Sequence, residues 1–246
     1  MSLPLIFVHG IRLSGMSWSV VREQLGQHPS AAVDLPGHGA RRGEQFTLAA
    51  AIDTVAEAVD NVGGRAVVVG HSLGGYVSIA AAARHPERVA GLVVAGASCV
   101  PNRGFTTPFT LIHRVLSRQP DGGERASGRI FDAMLPPQVA AAIKLGGIAT
   151  EVIPDVIRAS TQFDPLTNLA AYPGPLWLIN GSRDHFRSHE RRFLAASTNG
   201  RLLITPRAGH YLPLAHPAEF ARSVLDISHA VAGQRSSTWP PAASTR

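Results

Sequence analysis

The chain has a single cysteine, Cys99, among 246 residues. That excludes an internal disulfide framework and any cluster of thiolate metal ligands. Cys99 itself reads as a small buried side chain. Lysine is as scarce: Lys144 stands alone, and every other one of the 23 basic residues is arginine. The net charge of +6 is scattered, with local pairs at Arg41-Arg42 and Arg191-Arg192. A nucleic-acid binder concentrates such charge on a stripe or tail, so that class of partner is not expected. No segment holds about 18 uninterrupted apolar residues, so no membrane span is expected. The first apolar run, Leu5 to Val8, is too short for a signal core and lacks a basic stretch before it. These features predict a cytoplasmic protein. Charged residues make up only 16% and hydrophobic ones 45%, which suits one folded domain with a full buried sheet.

What the chain does contain is an alternation of short apolar runs with longer helical patterns. Strands are predicted at Leu5–Val8, Ala31–Asp34, Ala66–Val69, Val89–Ala95, Leu176–Ile179 and Leu202–Ile204. Helices are predicted at Met16–Leu25, Leu48–Val62, Tyr76–Arg84, Ser188–Ala196 and Pro217–Val231. The strands show no polar alternation, the pattern of a mostly parallel sheet covered by helices on both faces. The expected fold class is therefore α/β, with about six strands. Residues 1–100 and 173–233 form its core in this reading. Residues 101–172 break the rhythm. They hold helical patterns (Thr110–Ser117, Ser127–Met134, Gln138–Leu145) and turn breakers, but no clear strand, and read as an inserted helical cap. The Ser/Pro/Ala-rich stretch 234–246 reads as a disordered tail.

The most informative stretch is Val67-Val68-Val69-Gly70-His71-Ser72-Leu73-Gly74-Gly75. It reads as a buried strand, a sharp turn bearing a serine, and a helix of small residues. Gly70-x-Ser72-x-Gly74 is the spacing such a turn demands, because its glycines let backbone come close at the corner. A serine hydroxyl is a weak nucleophile near neutral pH. It needs a base to take its proton and a third group to orient that base. Of the 11 histidines, His210 is the candidate base, since it follows the last strand in Gly209-His210-Tyr211-Leu212-Pro213. His9 and His71, at strand ends, read as packed structural histidines. Asp184, in Asn180-Gly181-Ser182-Arg183-Asp184, is the candidate acid. Residues 96–99 hold no acid, and Asp34 comes too early in the chain; it reads as a brace for the Leu35–Gly39 turn. The order Ser, Asp, His is the one used by α/β-hydrolases. An oxyanion needs two N–H donors, predicted at the amides of Leu73 and Ile11. Arg12, Phe109, Phe131 and Met134 are candidate substrate contacts.

With these pieces assembled, the chain resembles the α/β-hydrolase superfamily of the capped esterase, lactonase and C–C hydrolase kind. The matching segments are Phe7-Val8-His9-Gly10, Asp34-Leu35-Pro36-Gly37-His38-Gly39, Gly70–Gly75, His85-Pro86-Glu87-Arg88-Val89, Asn180–Asp184 and Gly209–Pro213. Serine at position 72 disfavours relatives with an aspartate nucleophile. The leading expectation is a serine hydrolase without cofactor or metal, acting on a small-molecule carboxylic ester or lactone. C–C bond hydrolysis, perhydrolysis and a ligand-binding receptor on the same scaffold are the alternatives.

Overall fold

The structure, a computed structural model, describes residues 2–233, the side chains of Arg103 and Phe105 apart. The predicted tail, 234–246, lies outside the described residues. Among the described residues six strands alternate with helices. They are β1 (Leu5–Val8), β2 (Ser30–Val33), β3 (Ala66–His71), β4 (Val89–Ala95), β5 (Pro175–Gly181) and β6 (Asn199–Thr205). All neighbouring pairs run parallel, in the order β2-β1-β3-β4-β5-β6. The helices before β4 are α1 (Ser19–Glu23), α2 (Leu48–Asp60) and α3 (Leu73–Arg84). Between β4 and β5 come α4 (Arg103–Leu116), α5 (Glu124–Met134), α6 (Pro137–Leu145), α7 (Ile153–Ser160) and α8 (Pro165–Ala171). The chain continues through α9 (Glu190–Ala196), α10 (Leu212–Ala215) and α11 (Pro217–Gly233).

Side chains alternate across a strand, so each central strand feeds two cores. Ile6 and Val8, with Val68, Leu92 and Leu178, face α2, α3, α8 and α9. Leu5 and Phe7, with Val67, Val93 and Trp177, face α1 and α11. This explains why β1, β3 and β4 are apolar at nearly every position. The edge strands differ. β2 is half-buried and β6 mostly so, with Leu203 and Ile204 exposed. β6 is also longer than its apolar run, because Asn199, Gly200 and Arg201 pair with β5 through backbone. The helix predicted at Met16–Leu25 is a short 3₁₀ turn (Gly15–Trp18) running into α1. Trp18 anchors it, buried between Phe7 and Phe220.

Residues 101–172 do not form one separate layer. α4 packs on α7, and α5 on α6. α6, however, packs on α1, and α8 packs on α3 and α9 as the helix that returns the chain from β4 to β5. Leu169 and Tyr172 join one core, and Phe131, Val139 and Ile143 the other.

The strand register aligns the carboxyl ends. Val8 lies beside Gly70, Gly70 beside Val94, and Ala95 beside Ile179. Loops after β1, β3, β4, β5 and β6 therefore open on one edge of the sheet. The chain reverses its direction of progress across the sheet between β1 and β3, which is where a crevice forms in open parallel sheets.

Candidate active site

Ser72 sits at the corner between β3 and α3 with φ +54 and ψ −118. A non-glycine residue held there costs on the order of 1–3 kcal/mol, which the packing around it must outweigh. The neighbouring glycines make the corner possible. A Cβ on Gly70 would overlap the Gly74 backbone, and one on Gly74 would overlap Val8. The strain lifts the serine hydroxyl off the sheet edge. It lies 3.1 Å from His210 Nε2.

His210 hangs from the loop after β6, and its Nδ1 lies 3.1 Å from Asp184 Oδ2. Asp184 follows β5 and is buried. Its other oxygen accepts from the Phe186 amide at 2.8 Å. Burial would raise the carboxyl, but the hydrogen bond and charge of His210 and the Phe186 amide outweigh it and hold Asp184 below the usual carboxylate range. An ionised Asp184 requires a proton on His210 Nδ1, which leaves Nε2 free to accept from Ser72. The structure thus joins the three residues predicted from sequence into one hydrogen-bonded chain.

Gly96, after β4, makes room for that chain. Its φ is +61, and a Cβ there would stand 2.9 Å from Asp184 Oδ2 and 3.1 Å from His210 Nδ1. Beneath Asp184 lies a second polar group. Asn180 donates to Ser98 Oγ at 2.9 Å and to Glu190 at 3.0 Å, and Arg187 grips both Glu190 oxygens. This ties the acid-bearing loop to β5 and α9.

The amides of Ile11 and Leu73 donate no hydrogen bond among the described residues. Both residues line a cavity with Ser72. Leu73 N–H opens α3, where the helix dipole adds positive potential. The loop bearing Ile11 is braced by buried His9, whose Nδ1 donates to Gly10 O at 2.9 Å and whose Nε2 accepts from Leu35 N at 3.1 Å. Burial, and then His38, push the His9 pKa well below its ordinary value, consistent with one donor and one acceptor nitrogen. Asp34 bridges Gly15 N (2.7 Å) and Ala40 N (2.8 Å), holding the Leu35–Gly39 turn.

Two spaces meet at Ser72. The larger, about 700 Å³, is bordered by Arg12, Met134, His185, His210 and Tyr211. The smaller, about 30 Å³, lies toward Tyr76, Val156 and Ser160. Ile11, Phe109 and Phe186 border both. Met134 is an exposed rim residue. Phe131 does not border either space. It is buried one layer back, edge-on to Tyr211 and beneath the Arg12 guanidinium, because α5 turns that face into the core. Phe186, Val156 and Tyr211 were missed from sequence. An aromatic two residues after Asp184, in a polar loop, was the available signal for Phe186.

An all-parallel α/β sheet with a serine at this strand–helix corner defines a class of hydrolases. Residues 5–223 match the alpha/beta hydrolase family, and the chain belongs to it. It is a hydrolase. Among curated relatives, a pimeloyl-[acyl-carrier protein] methyl ester esterase of Neisseria meningitidis serogroup C is 28% identical over 221 residues, covering 82% of this chain and 84% of that protein. The enzyme of that name from Salmonella heidelberg is 39% identical over 101 residues, 40% of this chain and 39% of its own length. Among solved structures, an esterase from Thermogutta terrifontis superposes with TM-score 0.76 at 22% identity, covering 94% of this chain and 91% of that one. An enol-lactonase from Burkholderia xenovorans gives 0.74 at 18% identity, covering 92% and 91%. At these identities the structural likeness shows the fold.

Proposed function

We propose that this protein hydrolyses carboxylic esters, lactones included as internal esters, through Ser72, His210 and Asp184. The observation that carries the reading is the continuous chain Ser72 Oγ–His210 Nε2–His210 Nδ1–Asp184 Oδ2 at the floor of an open cavity. The esterase names of the curated relatives support the bond type.

Ser72 Oγ attacks the carbonyl carbon while its proton passes to His210 Nε2. The carbonyl oxygen becomes an oxyanion held by the Ile11 and Leu73 amides. Each such donor is worth about 2.7–4 kcal/mol in the transition state. Asp184 keeps the His210 tautomer and stabilises the imidazolium. The C–O bond breaks, and His210 returns its proton to the departing alkoxide. Water then attacks the acyl-Ser72, giving its proton to His210, which passes it back to Ser72 Oγ as the acid leaves.

The test is p-nitrophenyl acetate turnover by the protein and by Ser72→Ala, with fluorophosphonate labelling of Ser72. Turnover should fall by at least ~10⁴-fold and the label should be lost. Equal turnover by the variant sinks the reading.

A further inference from the structure

The two spaces at Ser72 differ some twentyfold in size, and only one of them touches the base. Resting on the ester-hydrolase reading above, we propose that the small space holds the acyl group and the large one the alcohol, so that the substrate is a short-acyl ester of a bulky alcohol.

Proton transfer assigns the sides. The same His210 Nε2 that takes the serine proton must deliver it to the leaving oxygen. The leaving group therefore lies on the His210 side of the tetrahedral carbon. The large space is bordered by Gly209, His210 and Tyr211. The small one is not bordered by His210; beyond Ser72 it touches Ile11 and Leu73, the two residues whose amides face the oxyanion. With the oxyanion directed at those amides and the alkoxide at His210, the acyl substituent points into the remaining direction, toward Tyr76 and Val156.

That direction is short and stiff. About 30 Å³ holds one or two water-sized groups, such as the methyl or ethyl of an acetyl or propionyl unit. Its back wall does not yield easily. Tyr76 is buried, donates its hydroxyl to Cys99 O at 2.6 Å and stands edge-on to Phe163. Val156 is buried in the same core. A longer acyl chain would overpack this wall. The alcohol side, about 700 Å³, takes a drug-sized group. The resulting preference is opposite to that in the curated relatives' name, where the acyl part is long and the alcohol is methanol.

Octyl acetate and methyl nonanoate are isomers that differ in which side of the ester carries the long chain. Turnover of p-nitrophenyl acetate, lost in Ser72→Ala, first checks ester hydrolysis itself. Octyl acetate should then exceed methyl nonanoate in kcat/KM by roughly 100-fold. Equal rates, the reverse order, or no turnover of either isomer overturns the assignment while leaving ester hydrolysis standing. Val156→Ala, and separately Ile157→Ala, should raise the p-nitrophenyl hexanoate to acetate ratio by about tenfold. Ratios unchanged in both would place the acyl group elsewhere.

Discussion

His71 lies against His210, ring centroids 5.0 Å apart, and its Nε2 donates to the His210 carbonyl oxygen at 2.9 Å. The residue preceding the serine thus holds the backbone of the base. Burial first, and then the neighbouring His210, push the His71 pKa down to about 3, so it stays neutral while holding that bond. His71→Leu removes the donor, and His71→Gln keeps an N–H. A base displaced by about 1 Å costs roughly 10²-fold in rate. We expect that loss in kcat, with little change in KM, for the leucine variant and substantial rescue by glutamine, read with p-nitrophenyl acetate.

The same burial makes stability depend on pH. His38 is also buried, and its pKa is pushed down to about 4. Unfolded, both histidines take up protons near pH 6.5; folded, they do so only near 3 and 4. Between those values the unfolded state binds more protons, so stability is full above pH 6.5 and falls as pH falls. Each histidine contributes up to about 1.4 kcal/mol per pH unit in that window. Urea unfolding at pH 7, 6 and 5 should show the decline, and His38→Gln should make it shallower by that histidine's share. A stability flat from pH 7 to 5 would contradict the neutral assignment.

Gly96 stands behind the acid–base contact. A methyl group there meets Asp184 and His210 and must also accept φ +61. Gly96→Ala should lower kcat by roughly 10²-fold, through displaced geometry. Far-ultraviolet circular dichroism near that of the wild type would show that the loss is local.

Arg12 borders the large space, donates to Ser127 Oγ at 3.0 Å and has no carboxylate partner among the described residues. A half-buried cation on that side favours anionic alcohol groups. Arg12→Met should raise the ratio of KM values, anionic over neutral acetate esters, by roughly tenfold. Ser127→Ala, which removes the tether and keeps the charge, should move the ratio much less.

Much of this architecture is legible in the residues. The unbroken runs around Val67–Val69 and Val89–Ala95 are strands because both their faces are covered. The Gly70–Gly74 spacing marks the serine corner because any Cβ there collides with neighbouring backbone. Less legible was what depends on packing at a distance. Pro108 lies inside α4 and hides its start, because a proline breaks the helical pattern that the sequence would otherwise show. α8 carries a clear start signal, Asp164 accepting from Leu166 N and Thr167 N ahead of Pro165, but is too short to show a period. Whether Phe131 would border the cavity was decided by which face α5 turned inward, and no local pattern records that.

The way residues 101–172 are shared between the two cores governs how this enzyme can be re-engineered. A graft exchanging the whole segment with that of a relative would tear Leu169 and Tyr172 from one side of the sheet and Val139 and Ile143 from the other. Transplants that spare α8, and that carry their own replacement for the underside of α6, are the ones whose recipients should still fold.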